Sequence, residues 1–283
     1  MKKSAALFAI VAAAGSALAG TDVNNINALQ VDNRFFNDFN NSTLHWGAAG
    51  AATNLAPLPT DDGTLPFAGG VQWRDEFAAN SVGQGSYANK HVAWFSSDGG
   101  ATRHQGNKNQ SFTLLFDVKI DVAAPGIRRE AGLQVNNPRP ALGYTDEGQI
   151  LIASDGEVAV FGGVMPFTGF GGSTYTAGTT ASVSFQYFAP GEADPVLGAY
   201  RLIFTDAVTG VHDSGMKFWG AGEPDGLFGF NFGTEFGFKA QNQRIPIIDD
   251  YSDITYSNVS MVPAPGALAL MGLGGLIAGR RRR

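Results

Sequence analysis

Cysteine is absent from all 283 positions, which excludes a disulfide framework and a thiolate metal site and leaves core burial as the source of stability. Positive charge is scarce: 19 lysines and arginines face 25 acidic residues. Six of those cations, Lys2, Lys3 and Arg280 to Arg283, belong to the two ends, where no acid accompanies them. The body between keeps 13 cations against 25 acids, a net charge of −12. That balance excludes nucleic acid as a partner, because affinity for a phosphate backbone rests on Lys and Arg displacing counterions. The G-x-x-x-x-G-K-[ST] phosphate loop, the H-E-x-x-H zinc pair and the G-x-S-x-G nucleophile elbow are missing. The four histidines, His45, His91, His104 and His212, are dispersed and match no ligand spacing.

What is present is alternation. Phe112, Leu114, Phe116, Val118 and Ile120 share one face of an extended segment while Thr113, Asp117 and Lys119 take the other, the mark of a half-buried strand. Between Leu227 and Lys239 every phenylalanine is even-numbered, and only a two-residue period puts them on one side. Further strands are expected at 91–96, 130–135, 149–153, 157–161, 183–188, 200–205 and 253–261. Turn-forming residues bound them, among them Asp155-Gly156, expected as a two-residue hairpin turn. Thirty-eight glycines suit many tight turns, and no segment of the body keeps a helical apolar period. The fold class is therefore all-β, an antiparallel two-sheet sandwich with jelly-roll connections. Some 240 residues suffice for one such domain, with 48–70 expected as a long surface loop.

Candidate sites follow from residue chemistry. Sugar binding needs aromatic faces with amides and acids nearby. Trp94 and Trp219 are the candidates among the four tryptophans, Trp94 within a strand and Trp219 beside a Gly/Pro-rich loop. Asp249, Asp250 and Asp253 before the last strand are candidate calcium ligands, calcium being the one cofactor the acidic body suggests. Glu130 is the best single acid for glycoside chemistry, set against a reading as an exposed strand-end charge. The paired-carboxylate pattern of a glycosidase is missing, so the body is expected to be no enzyme.

The two ends read as addresses. Lys2-Lys3, an apolar stretch over 5–14, and Ala17-Leu18-Ala19 form a secretory signal peptide, residues 1–19, with the mature chain starting at Gly20. Secretion machinery and signal peptidase are the partners this implies. The body then spans 20–261 and the final segment 262–283. From Gly266 to Gly279 run 14 uncharged, mostly apolar residues. As a helix these cover about 21 Å, short of the ~30 Å hydrocarbon core. Arg280, Arg281, Arg282 and Arg283 would stay on the cytoplasmic side, so the short hydrophobic helix is expected to be a weak membrane anchor, transient or permanent.

Val262-Pro263-Ala264-Pro265-Gly266, then an apolar segment, then the arginine cluster, resembles the bacterial PEP-CTERM sorting signal in its V-P-x-P-G variant. The resemblance implies cutting near Val262, Pro263, Pro265 and Gly266 by an exosortase-like membrane protease, and delivery to the cell surface or extracellular matrix. Ala264 stands where the eponymous glutamate would be. The segments 129–133, 157–163 and 254–261 resemble concanavalin A-like jelly-roll domains, a fold shared without a shared site. The expected function is an exported surface or matrix protein whose non-catalytic jelly roll binds polysaccharide. The alternatives are a secreted carbohydrate-active enzyme, a glycoside hydrolase or lyase, and a purely structural or adhesive module.

Overall fold

The computed structural model describes residues 26–35, 42–47, 56–57, 64–77, 88–106, 109–122, 128–139, 143–163, 165–220, 229–243 and 251–263. Among these every regular element is a strand. In order they are β1 (Ala28–Phe35), β2 (Ser42–Gly47), β3 (Ala56–Pro57), β4 (Thr64–Pro66), β5 (Val71–Phe77), β6 (Ala88–Ser96), β7 (Gln105–Gly106), β8 (Phe112–Val122) and β9 (Arg129–Arg139). After them come β10 (Tyr144–Ala153), β11 (Val158–Gly162), β12 (Thr168–Gly169), β13 (Thr180–Phe188), β14 (Ala199–Asp206), β15 (Gly210–Asp213), β16 (Lys217–Phe218), β17 (Thr234–Gln243) and β18 (Tyr251–Pro263).

They form two antiparallel sheets. Sheet A runs β12-β11-β10-β9-β17-β6-β1-β4 with β7 beside β17, and sheet B runs β15-β14-β13-β8-β18-β5-β2-β3 with β16 beside β14. Successive strands cross repeatedly from one sheet to the other, the jelly-roll arrangement. The alternating residues meet between the sheets. Phe116 of β8, Phe238 of β17 and Tyr256 of β18 are buried there, with Phe238 and Tyr256 stacked at 4.1 Å between ring centroids.

Several boundaries differ from the sequence reading. β17 begins at Thr234, so Phe232 lies in the preceding turn and is exposed, while Phe230, Phe236 and Phe238 are buried; Phe228 lies outside the described residues. Ala153 N–H bonds Glu157 O at 2.8 Å and Gly156 N–H bonds Ala153 O at 3.0 Å, with Gly156 at φ +101°. The hairpin loop therefore has three residues, closed by a left-handed glycine, and not two. The expected loop at 48–70 contains β3 and β4, two short outermost strands. At the other end β18 runs on through Val262 to Pro263, which pairs with Phe112. The proline motif thus starts inside sheet B. The apolar segment and arginines beyond it, like the signal peptide, lie outside the described residues.

The backbone of β9 takes a conformation at Gly132 that other residues rarely adopt. Its φ is +130°, and a Cβ there would lie 1.9 Å from Ile150 O. The Gly132 N–H turns into the core and bonds the Tyr256 hydroxyl at 2.6 Å, and that hydroxyl donates to Lys239 O at 2.5 Å. A phenol from sheet B thereby satisfies backbone groups of sheet A that face the core.

Candidate binding trough on sheet A

Parity decides which side chains leave the core. On β6, Ala93 and Phe95 point inward, so Lys90, Val92 and Trp94 point outward; on β9, Leu133 and Val135 point inward, so Glu130, Gln134 and Asn136 point outward; on β17, Phe236 and Phe238 point inward, so Lys239 points outward. Register then assembles them. Trp94 pairs with Gly237, Gly237 with Gln134, and Gln134 with Gln149. Gly237 leaves a gap between Trp94 and Gln134, and a Cβ in that gap would lie 2.7 Å from Ala93 O. The outer face of sheet A is curved, since Lys90 on β6 reaches Glu147 on β10 at 3.3 Å across two intervening strands. Strands spaced about 4.8 Å apart put that pair out of reach on a flat sheet.

The result is a trough of paired charges. Lys239 Nζ lies 3.3 Å from Glu130 Oε2 and donates to Gln149 Oε1. Glu130 also takes Arg128 Nε at 2.8 Å, and Arg128 spreads its other nitrogens to Asp155 and Glu157, both at 2.6 Å. Gln134 Nε2 donates to Glu147 Oε2 at 3.2 Å. Arg103 lies over the Trp94 ring, its guanidinium carbon 4.8 Å from the centroid, and pairs with Glu235 at 3.1 Å and Asp32 at 3.7 Å. The loop before Arg103 is held by Asp98, whose carboxylate accepts from Thr102 Oγ1 at 2.7 Å, Thr102 N at 2.9 Å and Ser96 Oγ at 2.7 Å. Those hydrogen bonds, the Thr102 hydroxyl first, keep Asp98 far below the usual carboxylate range.

Burial pushes Lys239 down to about 8, against the opposing pull of Glu130. An unfolded lysine titrates near 10.4. Between those values the unfolded chain holds the proton that the folded chain has lost, so stability rises with pH. Lys239 is expected to contribute about 2 kcal/mol of added stability between pH 8 and 10. Denaturant melts of the wild type and Lys239→Met across that window measure it. Equal pH slopes for the two proteins would contradict it. Above that window buried tyrosines oppose the gain, for burial raises Tyr200 to about 12 and Tyr256 further.

The expected site residues fall out differently. Trp219 is no exposed platform: it is buried among Tyr187, Tyr200 and Phe230, with ring centroids at 5.9, 5.8 and 5.2 Å. Trp94 is buried too, yet on the outer face of sheet A among polar groups. Glu130 is not an exposed strand-end charge but a buried member of the Lys239 and Arg128 cluster. Asp253 is buried with its carboxylate held by Gln72 Nε2 and Arg74 Nη2, both at 2.8 Å. Asp249 and Asp250 lie outside the described residues, among which no group of three or more acidic or histidine side chains is placed to hold a metal. Gln134, Asn136, Gln149 and Lys239 were not singled out from the sequence; their alternation with Leu133, Val135, Ile150 and Phe238 was the available signal.

No family model and no curated protein matches this chain. Among solved structures it is similar to the alginate lyase from Corynebacterium sp., at 14% identity and TM-score 0.44 over 86% of this chain and 96% of that one. It is also similar to basic winged bean lectin with Tn-antigen, at 11% and 0.43 over 84% and 100%. A variant of the family 7 alginate lyase A1-II′ in complex with substrate matches at 9% and 0.38, over 80% and 94%. At these values the likeness is one of architecture. It corrects one expectation: the matched structures include lyases beside lectins, so the reading of the body as no enzyme does not stand.

Proposed function

We propose that this is an exported cell-surface or matrix protein whose jelly-roll body engages polysaccharide in the trough of sheet A. The observation that carries the reading is Trp94: a large aromatic placed on the polar face of its sheet, flanked across Gly237 by Gln134 and capped by Arg103. An indole bordered by amides and ion-paired carboxylates is the surrounding that sugar rings favour, apolar face against ring and hydroxyls against polar groups. Trp219 does not take part. The signal peptide and the sorting motif direct the body outward, and processing by the exosortase-like protease follows closely on the end of β18.

Affinity electrophoresis through gels cast with single polysaccharides tests the binding half. A retarded wild-type body is expected, and an unretarded Trp94→Ala body when both are run below the variant's melting transition, which loss of the buried indole lowers, with products of bound chains assayed in parallel for turnover. Equal retardation of both proteins would remove the trough from the reading. Mass spectrometry of native extracellular protein tests the export half. Ends at Gly20 and within Val262 to Gly266 are expected, and an intact Arg283 on mature protein would contradict the processing.

A further inference from the structure

The charged groups of the trough are already in ion pairs, whereas three neutral polar atoms are not satisfied. Trp94 Nε1, Gln134 Oε1 and Asn136 Oδ1 are buried without a hydrogen-bond partner among the described residues. Their residues are 0%, 1% and 9% exposed. Burying such an atom unpaired costs about 1–3 kcal/mol, so three on one face call for a common explanation. They are neighbours: Trp94 and Gln134 flank Gly237, and Asn136 follows Gln134 on the same face of β9. The orientation of the Gln134 amide is fixed, because its nitrogen must face the Glu147 carboxylate, an acceptor. What remains is one N–H donor, the Gln134 carbonyl acceptor and the Asn136 amide, with no uncompensated positive charge beside them.

Resting on the polysaccharide reading above, we infer that the unit bound between Trp94, Gln134 and Asn136 is a neutral sugar, read through its hydroxyls. A hydroxyl both accepts, from the indole N–H, and donates, to the amide oxygens. A carboxylate or sulfate offers acceptors alone and would face Gln134 Oε1, Asn136 Oδ1 and Glu147 with nothing to donate. Arg103 lies on the indole, and its side chain is 32% exposed. It swings off the ring as the sugar enters, keeping its charge on Glu235 and Asp32.

Calorimetric titration of the body with neutral tetrasaccharides (β-1,4-glucan, β-1,3-glucan and β-1,4-mannan) and with oligogalacturonate and oligomannuronate tests this. At least one neutral probe is expected to bind, with affinity changing less than about two-fold between 50 and 500 mM salt because no net charge is screened. Trp94→Phe keeps a ring and loses the donor, and Gln134→Met keeps the volume and loses the acceptor. Each is expected to weaken that binding about ten-fold, at unchanged circular dichroism. Binding confined to the acidic probes and abolished by salt would overturn the neutral-sugar inference while leaving the polysaccharide reading intact. Binding to none of the probes, but to a polysaccharide in the gels, would overturn the inference likewise. No binding in either assay would overturn both. Neutral binding indifferent to both variants would move the site elsewhere and overturn the assignment.

Discussion

Gly132→Ala is expected to lose most of the stability of the fold, about 4 kcal/mol or more, and to reach the soluble fraction poorly. Two independent faults combine. At φ +130° an alanine sits in a region open in practice to glycine alone, and its Cβ would stand 1.9 Å from Ile150 O. The obstacle is backbone of a paired strand, so it cannot rotate away. A loss of that size is a large share of the ~5–15 kcal/mol that holds a domain together. Gly171→Ala is the matched control: its φ is +69° with nothing within 4 Å of the added carbon, so only strain of about 1 kcal/mol is expected. Chemical denaturation of both variants separates the cases. Equal midpoints would show that the φ and the close contact at Gly132 carry no such cost.

Trp219→Ala should behave as a core deletion and not as a binding mutation. The indole contacts three other rings between 5.2 and 5.9 Å and is almost wholly buried. Truncating such a tryptophan costs about 3–5 kcal/mol. In a chain of this size that lowers the melting temperature by about 6 to 20 °C. Polysaccharide retention per folded molecule should stay at the wild-type level below the transition. A Trp219→Ala protein with unchanged melting temperature and lost retention would return Trp219 to the surface role that its Gly/Pro-rich surroundings suggest.

Trp219 and Trp94 also mark where sequence reading stops. Alternation alone was enough to find β8, because Phe112 to Ile120 bury one face and leave the other, Leu115 apart, to polar side chains. β1 and β5 escaped it: β1 holds Asp32, Asn33 and Arg34 within eight residues, and β5 holds Arg74, Asp75 and Glu76 within seven. In those strands the apolar face is too short to stand out from its polar neighbours. Trp94 shows the opposite failure. Val92, Ala93, Trp94 and Phe95 are all buried, so the strand has no exposed face and its period vanishes into an apolar run. Only the neighbours resolve the ambiguity, and these are distant in the chain: β17 sits between β6 and β9, a pairing written in no local pattern. The same crossing assembles Lys239, Glu130 and Gln149, residues that read one at a time as ordinary strand polars.

The N–H of Trp94 offers the most direct test of the trough. In ¹⁵N-correlated spectra of the body, Trp94→Phe identifies the Trp94 indole resonance among those of the four tryptophans. Titration with the polysaccharide that retards the wild type in gels should shift that resonance and leave those of Trp73 and Trp219, both buried in the core, in place. A Trp94 resonance that stays still at saturation would contradict binding in the trough of sheet A.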